Sequence, residues 1–319
     1  MPADLIDLAP SRRSMKEEVL ESLSSPRKWL SPKYFYDRRG SALFDEICAL
    51  PEYYPTRTEM AIMREYGSDI STAMGAGCVV VEFGSGSSDK VRLLFDMLVD
   101  PRAYVPIDIS KDHLKSAADS LADDFPDLDV KAICADFTEP LDLKIRDLVD
   151  GRLVGYFPGS TIGNFSPSAA GHFLENTAAL LGDGGGLLIG VDLEKDTPIL
   201  EAAYNDAQGV TAEFNLNILA HINRELDGTF NPDRFRHKAY YNSDKARVEM
   251  HLVSTVDQDV RVAGEIFSFK EGETIHTENS YKYSIDGFND MVRSAGYAPK
   301  QCWTDADGLF SVHLLAVSQ

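Results

Sequence analysis

EFGSGSSDKVRLLF, Glu82–Phe95, follows the short apolar run Cys78-Val79-Val80-Val81. Gly84 and Gly86 come next, then small polar residues, then Val91, Leu94 and Leu98 at helical spacing. Strand, glycine turn and helix is the usual opening of a nucleotide-binding α/β unit. A dinucleotide fingerprint asks for a third glycine where Asp89 stands. The turn is therefore expected to serve a nucleotide other than NAD.

Strand and helix patterns alternate outward from this turn. AYVPIDIS (103–110), DVKAICADF (129–137), RLVGYFPGS (152–160) and GGLLIGVDLEK (185–195) read as strands. KDHLKSAADSLADDF (111–125), capped by Ser110, and PSAAGHFLENTAALL (167–181) read as helices. That rhythm predicts a parallel sheet with right-handed crossovers. Near Asp196 the pattern changes to one long helical stretch ending at INREL. Strand-like runs with the alternation of an antiparallel sheet follow it. SIDGFNDMVRSAGY (284–297) returns to helix and LFSVHLLAVSQ (309–319) to an apolar strand. The expected fold class is α/β: a Rossmann-like domain over 60–195 and 284–319. A second, α+β domain is expected from 1–59 and the insertion 196–283.

The bulk numbers narrow the function classes. At 319 residues the chain can bury one large core or two modest ones. A net charge of −20 repels phosphate backbones and anionic lipid, so neither nucleic acid nor membrane is an expected partner. No stretch approaches the roughly 18 apolar residues of a membrane span. The N-terminus is too acidic for a secretory signal, so a cytoplasmic protein is expected. Cys48, Cys78, Cys134 and Cys302 are scattered without a CxxC pair, and none of the seven histidines has ligand spacing, so no metal is expected.

Three acids fall where strands should end: Glu82 before the glycine turn, Asp108, and Asp136 followed by Phe137. Ligands of open α/β sheets bind at those carboxyl ends. An acid after the second strand can accept both ribose hydroxyls, and an Asp-Phe pair after the third can hold and cover an adenine. Negative residues suit a sulfonium better than a pyrophosphate. The series points to S-adenosylmethionine and a class I methyltransferase.

Longer motifs carry a resemblance over nearly the whole chain. They are YFYDRRGSALFDEICALPEYYPTRTE (34–59), VVEFGSGSSDK (80–90), YVPIDIS (104–110), ADF (135–137), YFPGSTIGNF (156–165), GVDLEKD (190–196), AYNDAQGVTAEFN (203–215) and IHTENSYKYS (275–284). The chain resembles the histidine-specific Nα-methyltransferases of ergothioneine biosynthesis, which make the trimethyl betaine hercynine. The fungal relatives add an oxygenase-like domain for which 319 residues leave no room. The resemblance implies three methyl transfers from S-adenosylmethionine to the α-amine of L-histidine and its mono- and dimethylated forms. It also implies S-adenosylhomocysteine as product, no metal, and a monomer.

It further implies residue roles. Glu82, Gly84, Gly86, Lys90, Asp108, Asp136 and Phe137 would bind the donor, Lys90 through its carboxylate. Asn164 and the Gly159 backbone would hold the α-amine in the irregular PGSTIGN loop. Tyr54 and Tyr204 would clamp the amino-acid carboxylate, with Tyr36 beside them, and Tyr54 is the best candidate to help carry away the amine proton. Glu278 and Ser280, two apart on a strand, face the same way and can address both imidazole nitrogens. Phe44 and Met250 would pack near the ring or amine, and Thr211 would contribute. His276 lies on the same face as Glu278 by parity and receives no role. Taken alone, each tyrosine is more often core than ligand, and the TENSYKY polar residues read as readily as an outward-facing edge strand. The rival readings are an Nα-methyltransferase for another amino acid, an NAD-dependent oxidoreductase, and a non-catalytic homologue that binds the donor or histidine.

Overall fold

The structure is a computed structural model that describes residues 3–8, 14–85, 88–141 and 144–318. The chain divides into two compact units, one of Met1–Ser11, Arg57–Leu193 and Tyr283–Gln319, the other of Arg12–Thr56 and Glu194–Lys282. Helix α3 (Tyr54–Glu65) carries the chain from the second unit into the first.

The first unit is built on an eight-stranded sheet. Its strands are β1 (Asp4–Asp7), β2 (Val79–Phe83), β3 (Ala103–Asp108), β4 (Asp129–Cys134), β5 (Leu153–Phe157), β6 (Gly186–Asp192), β12 (Tyr297–Thr304) and β13 (Phe310–Val317). They lie in the order β1-β4-β3-β2-β5-β6-β13-β12. β1 to β6 pair in parallel, whereas β13 runs antiparallel to both β6 and β12. Every residue of β2, β5 and β6 is buried, as strands covered on both faces must be. The covering helices include α4 (Gly67–Met74), α5 (Ser88–Met97), α6 (Lys111–Asp124), α7 (Pro167–Leu181) and α10 (Ile285–Ser294). Strand order reverses at β2, which has β3 on one side and β5 on the other, and this opens a crevice at the carboxyl ends. An open parallel sheet with one reversed strand inserted next to its edge is the class I methyltransferase architecture.

The second unit carries α1 (Met15–Ser24), α2 (Arg38–Cys48), α8 (Thr197–Tyr204) and α9 (Val210–Leu226). Its three-stranded antiparallel sheet has the order β11-β8-β7, from Thr274–Tyr281, Arg247–Ser254 and Phe235–Asn242. β9 (Gln258–Val262) and β10 (Glu265–Phe269) form a separate hairpin. Ser14 and Glu17 close a capping box that starts α1.

Several expectations change. β1 pairs with β4 at the edge of the large sheet, so the first residues do not group with the rest of 1–59. The long helical stretch is two helices: Gly209 takes φ +76°, and the Asp206 carboxylate accepts from the Val210 and Thr211 amides to start α9 afresh. Ser110 makes no side-chain cap on α6; its own amide donates to Asp108 Oδ1 at 2.7 Å. β11 also carries a bulge between His276 and Glu278. His276 pairs with His251 but Glu278 with Met250, the next residue of β8. Paired residues share a face and neighbours along a strand alternate, so His276 lies on the face opposite Glu278. His276 therefore departs from the face expected of it, because the bulge interrupts the alternation of a regular strand.

Candidate functional site

In the first unit the strand ends assemble the expected donor residues. Gly84 leaves β2 with φ +77°, and a Cβ there would stand 3.4 Å from the Phe137 ring, which lies partly buried against it. Glycine is required by the backbone angle, and its bare face leaves the turn open to a flat ligand. Gly86 lies outside the described residues. Asp108, at the end of β3, is partly exposed. Asp136, after β4, accepts from the Thr138 amide at 3.0 Å and its hydroxyl at 2.6 Å, which fixes the carboxylate on a tight turn. These groups fit a donor bearing a ribose and an adenine.

Glu82 differs from the others. It is 2 % exposed, and the Tyr104 hydroxyl donates to its carboxylate. Burial pushes its carboxyl up to about 8, against the lowering effect of that hydrogen bond. Lys90 points to a residue to which the sequence reading gave no role. Its ammonium donates to Glu59 at 2.6 Å, and the Gly159 amide donates to the same carboxylate at 2.9 Å. Glu59 is 1 % exposed and is packed so tightly that a Cβ on Gly190 would fall 2.2 Å from its Oε1. Gly159 itself has φ +78°. Glu59 thus ties together α3, α5 and the loop after β5. Among the described residues no hydrogen bond engages the side chain of Asn164, which sits in the helical turn Thr161–Asn164 of that loop.

In the second unit Glu278 and Ser280 do share a face, paired with Met250 and Val248 of β8. Burial lifts the Glu278 carboxyl to about 7, against the lowering charge of Lys282. Among the described residues no hydrogen bond reaches that carboxylate. Ser280 Oγ accepts from Tyr204 Oη at 2.8 Å and from Lys282 Nζ at 2.8 Å. The Tyr204 hydroxyl is thus engaged by Ser280, a contact the sequence reading did not anticipate.

An aromatic cluster adjoins these groups. Tyr36 stands edge-on to Phe44 and Phe214, Phe44 to Tyr53, and Tyr53 to Tyr204. Tyr36 is exposed, Met250 is buried, and Phe44 is partly buried. Such rings attract a trimethylammonium. Tyr53 and Phe214 are further members to which the sequence reading gave no role. Tyr54 opens α3, and its hydroxyl accepts from Lys195 Nζ at 2.7 Å. Thr211 is buried and donates its amide to Asp206.

The opposite face of the same sheet brings Glu249, His251 and His276 together, their potential ligand atoms within 4.8 Å of one another. The Glu249 oxygens are already engaged by Arg247, Asn242, Tyr240 and His251. The two imidazoles stack at 4.6 Å with only 16° between their planes, so their in-plane lone pairs run side by side instead of converging. This cluster reads as a hydrogen-bond and stacking network.

Among the described residues no helix is long and apolar enough to cross a membrane. The model of a family described as histidine-specific methyltransferase, SAM-dependent, matches residues 15–317. The histidine N-alpha-methyltransferase of Mycolicibacterium smegmatis is 43% identical over 307 residues, covering 94% of each chain. That of Mycobacterium tuberculosis is 40% identical over 308 residues, 95% of each. Ergothioneine biosynthesis protein 1 of Neurospora crassa is 28% identical; the match takes in 99% of this chain and 37% of that longer protein. The chain belongs to the family of histidine-specific, S-adenosylmethionine-dependent methyltransferases.

Proposed function

We propose that the protein transfers three methyl groups from S-adenosylmethionine to the α-amine of L-histidine, giving hercynine for ergothioneine biosynthesis. The observation that carries the choice of acceptor is the paired presentation of Glu278 and Ser280 on one face of β11, beside an aromatic cluster. Bound S-adenosylmethionine supplies an electrophilic methyl on sulfur. The residues assigned to it are Gly84, Gly86 and Glu82 at the turn, Asp108 for the ribose, Asp136 and Phe137 for the adenine, and Lys90 for its carboxylate.

The protein's own task is to present a neutral amine lone pair in line with that methyl, and geometry supplies most of the acceleration. Asn164 and the Gly159 backbone are assigned to the amine. The Gly159 amide is occupied by Glu59, which leaves its carbonyl oxygen to accept from an amine N–H. Tyr54 and Tyr204 are assigned to the carboxylate, with Tyr36 beside them and Tyr54 or water taking the released proton. Glu278 and Ser280 address the imidazole; Phe44 and Met250 pack against it, and Thr211 supports the site. The first unit would act as the methyltransferase domain and the second as the substrate domain, in a cytoplasmic monomer that needs no metal.

Mass spectrometry after incubation with S-adenosylmethionine and the twenty amino acids tests this reading. Gains of one, two and three methyl masses on histidine are expected. Gains on another amino acid, with histidine untouched, would replace the acceptor and keep the chemistry.

A further inference from the structure

Lys282 is the charged group nearest this proposed imidazole site that no role yet covers. It follows β11 and is 3 % exposed, and its ammonium donates to Ser280 Oγ at 2.8 Å and to Tyr204 Oη at 3.3 Å. It also lies 5.2 Å from the centre of the Tyr204 ring.

A serine hydroxyl has one proton and two lone pairs. Here the ammonium, which can only donate, takes one lone pair, and the more acidic phenol of Tyr204 donates into the other. Among the described residues nothing accepts the remaining Ser280 proton. That hydroxyl is left one direction for its hydrogen, away from both partners. The Glu278 carboxylate next to it is an acceptor when ionised, and the positive charge of Lys282 favours that form.

We propose that Lys282 is a positioning residue for substrate recognition: by filling a lone pair of Ser280 it makes that hydroxyl a fixed donor beside the Glu278 acceptor. The pair then reads a ring with one N–H and one bare nitrogen, the neutral imidazole in a single tautomer. This rests on the assignment of Glu278 and Ser280 to the imidazole. A ring with two N–H groups meets an opposing donor, and a ring with no N–H leaves Glu278 without a partner.

The test is a double-mutant cycle of Lys282→Met and Ser280→Ala, with Lys282→Arg as the conservative variant. Histidine affinity is read by calorimetry, and KM and kcat separately by turnover. Lys282→Met should weaken histidine binding and raise KM on the order of tenfold, the loss expected for a charge-assisted bond, with kcat and donor affinity little changed. Lys282→Arg should restore most of that loss. In the Ser280→Ala background Lys282→Met should cost under about twofold, because the hydroxyl it orients is gone. An equal loss in both backgrounds, or no loss in either, overturns the role of Lys282. If Lys282→Met does not fold, the cycle is run with Lys282→Arg and Lys282→Gln under the same criteria. If Ser280→Ala alone leaves histidine binding intact, the imidazole assignment fails instead, and the two failures are told apart.

Discussion

Replacing Glu59 with alanine should unsettle the first unit more than any surface change. The carboxylate is 1 % exposed and holds Lys90 Nζ at 2.6 Å, and the lysine side chain is itself only 12% exposed. Removing one partner of a buried ion pair typically costs about 3–5 kcal/mol, mostly because the other charge is stranded. The Gly159 amide also loses its acceptor, which adds about 1–3 kcal/mol where water cannot reach it. For a unit of this size each kcal/mol lowers Tm by about 2–4 °C, so even the smallest combined loss, about 4 kcal/mol, lowers it by about 8–16 °C. Calorimetry of Glu59→Ala should show that drop. The double variant Glu59→Ala/Lys90→Met, which removes the stranded ammonium, should regain much of it. A single variant as stable as the parent, or a double variant no better than the single, would refute the view of Glu59 as a buried counter-ion. Gly190→Ala offers an independent check, since its methyl would push into Glu59 Oε1 and should cause a loss in the same unit.

Three further outcomes follow from the sites. Glu278→Ala should cut kcat/KM for histidine about ten- to a hundredfold while sparing a poor aromatic substrate, because a charged hydrogen bond is lost only with the former; an unchanged histidine-to-phenylalanine ratio would dissociate β11 from the imidazole. Asp108→Ala should weaken S-adenosylmethionine in calorimetry without shifting that ratio, and a shift would place Asp108 in acceptor recognition. Glu82 holds its proton up to about pH 8 in the fold against an ordinary 4.5, so between these values the folded state binds a proton the unfolded chain has lost. Stability should therefore fall as pH rises through that window, and Glu82→Gln should flatten the fall in urea titrations at pH 5, 6.5 and 8.

The sheet was legible because buried parallel strands are continuous apolar runs: CVVVEF and GGLLIGVD announce themselves whatever surrounds them. The placement of Glu82, Asp108 and Asp136 was legible for a related reason, since each lies at the end of such a run. What stayed hidden depends on geometry that residue types do not carry. The bulge beside Thr277, whose hydroxyl turns inward to Asn215 and the Met250 carbonyl, breaks the parity on which the position of His276 was argued. Glu59 sits in an ordinary helical context, and only the fold brings Lys90 and Gly159 to it. Ser110 looked like a cap by type, yet Asp108 two residues earlier competes for the same turn. β1 is four residues long, too short for alternation to distinguish it from a polar leader.

The position of β13 bears on how the chain is made. This strand follows every other strand in sequence, yet it is an interior member of its sheet, wedged between β6 and β12. Its partner β6 leaves the ribosome before Glu194–Lys282, the whole second segment of the other unit, has been synthesised. Until Phe310–Val317 emerge, β6 presents an unpaired row of backbone donors and acceptors on a strand that is apolar up to its last residue, Asp192, the kind of edge that recruits foreign strands. Closure of the sheet thus waits on synthesis of the second unit's long segment, and the nascent chain has its greatest need of chaperone cover while that segment is being made.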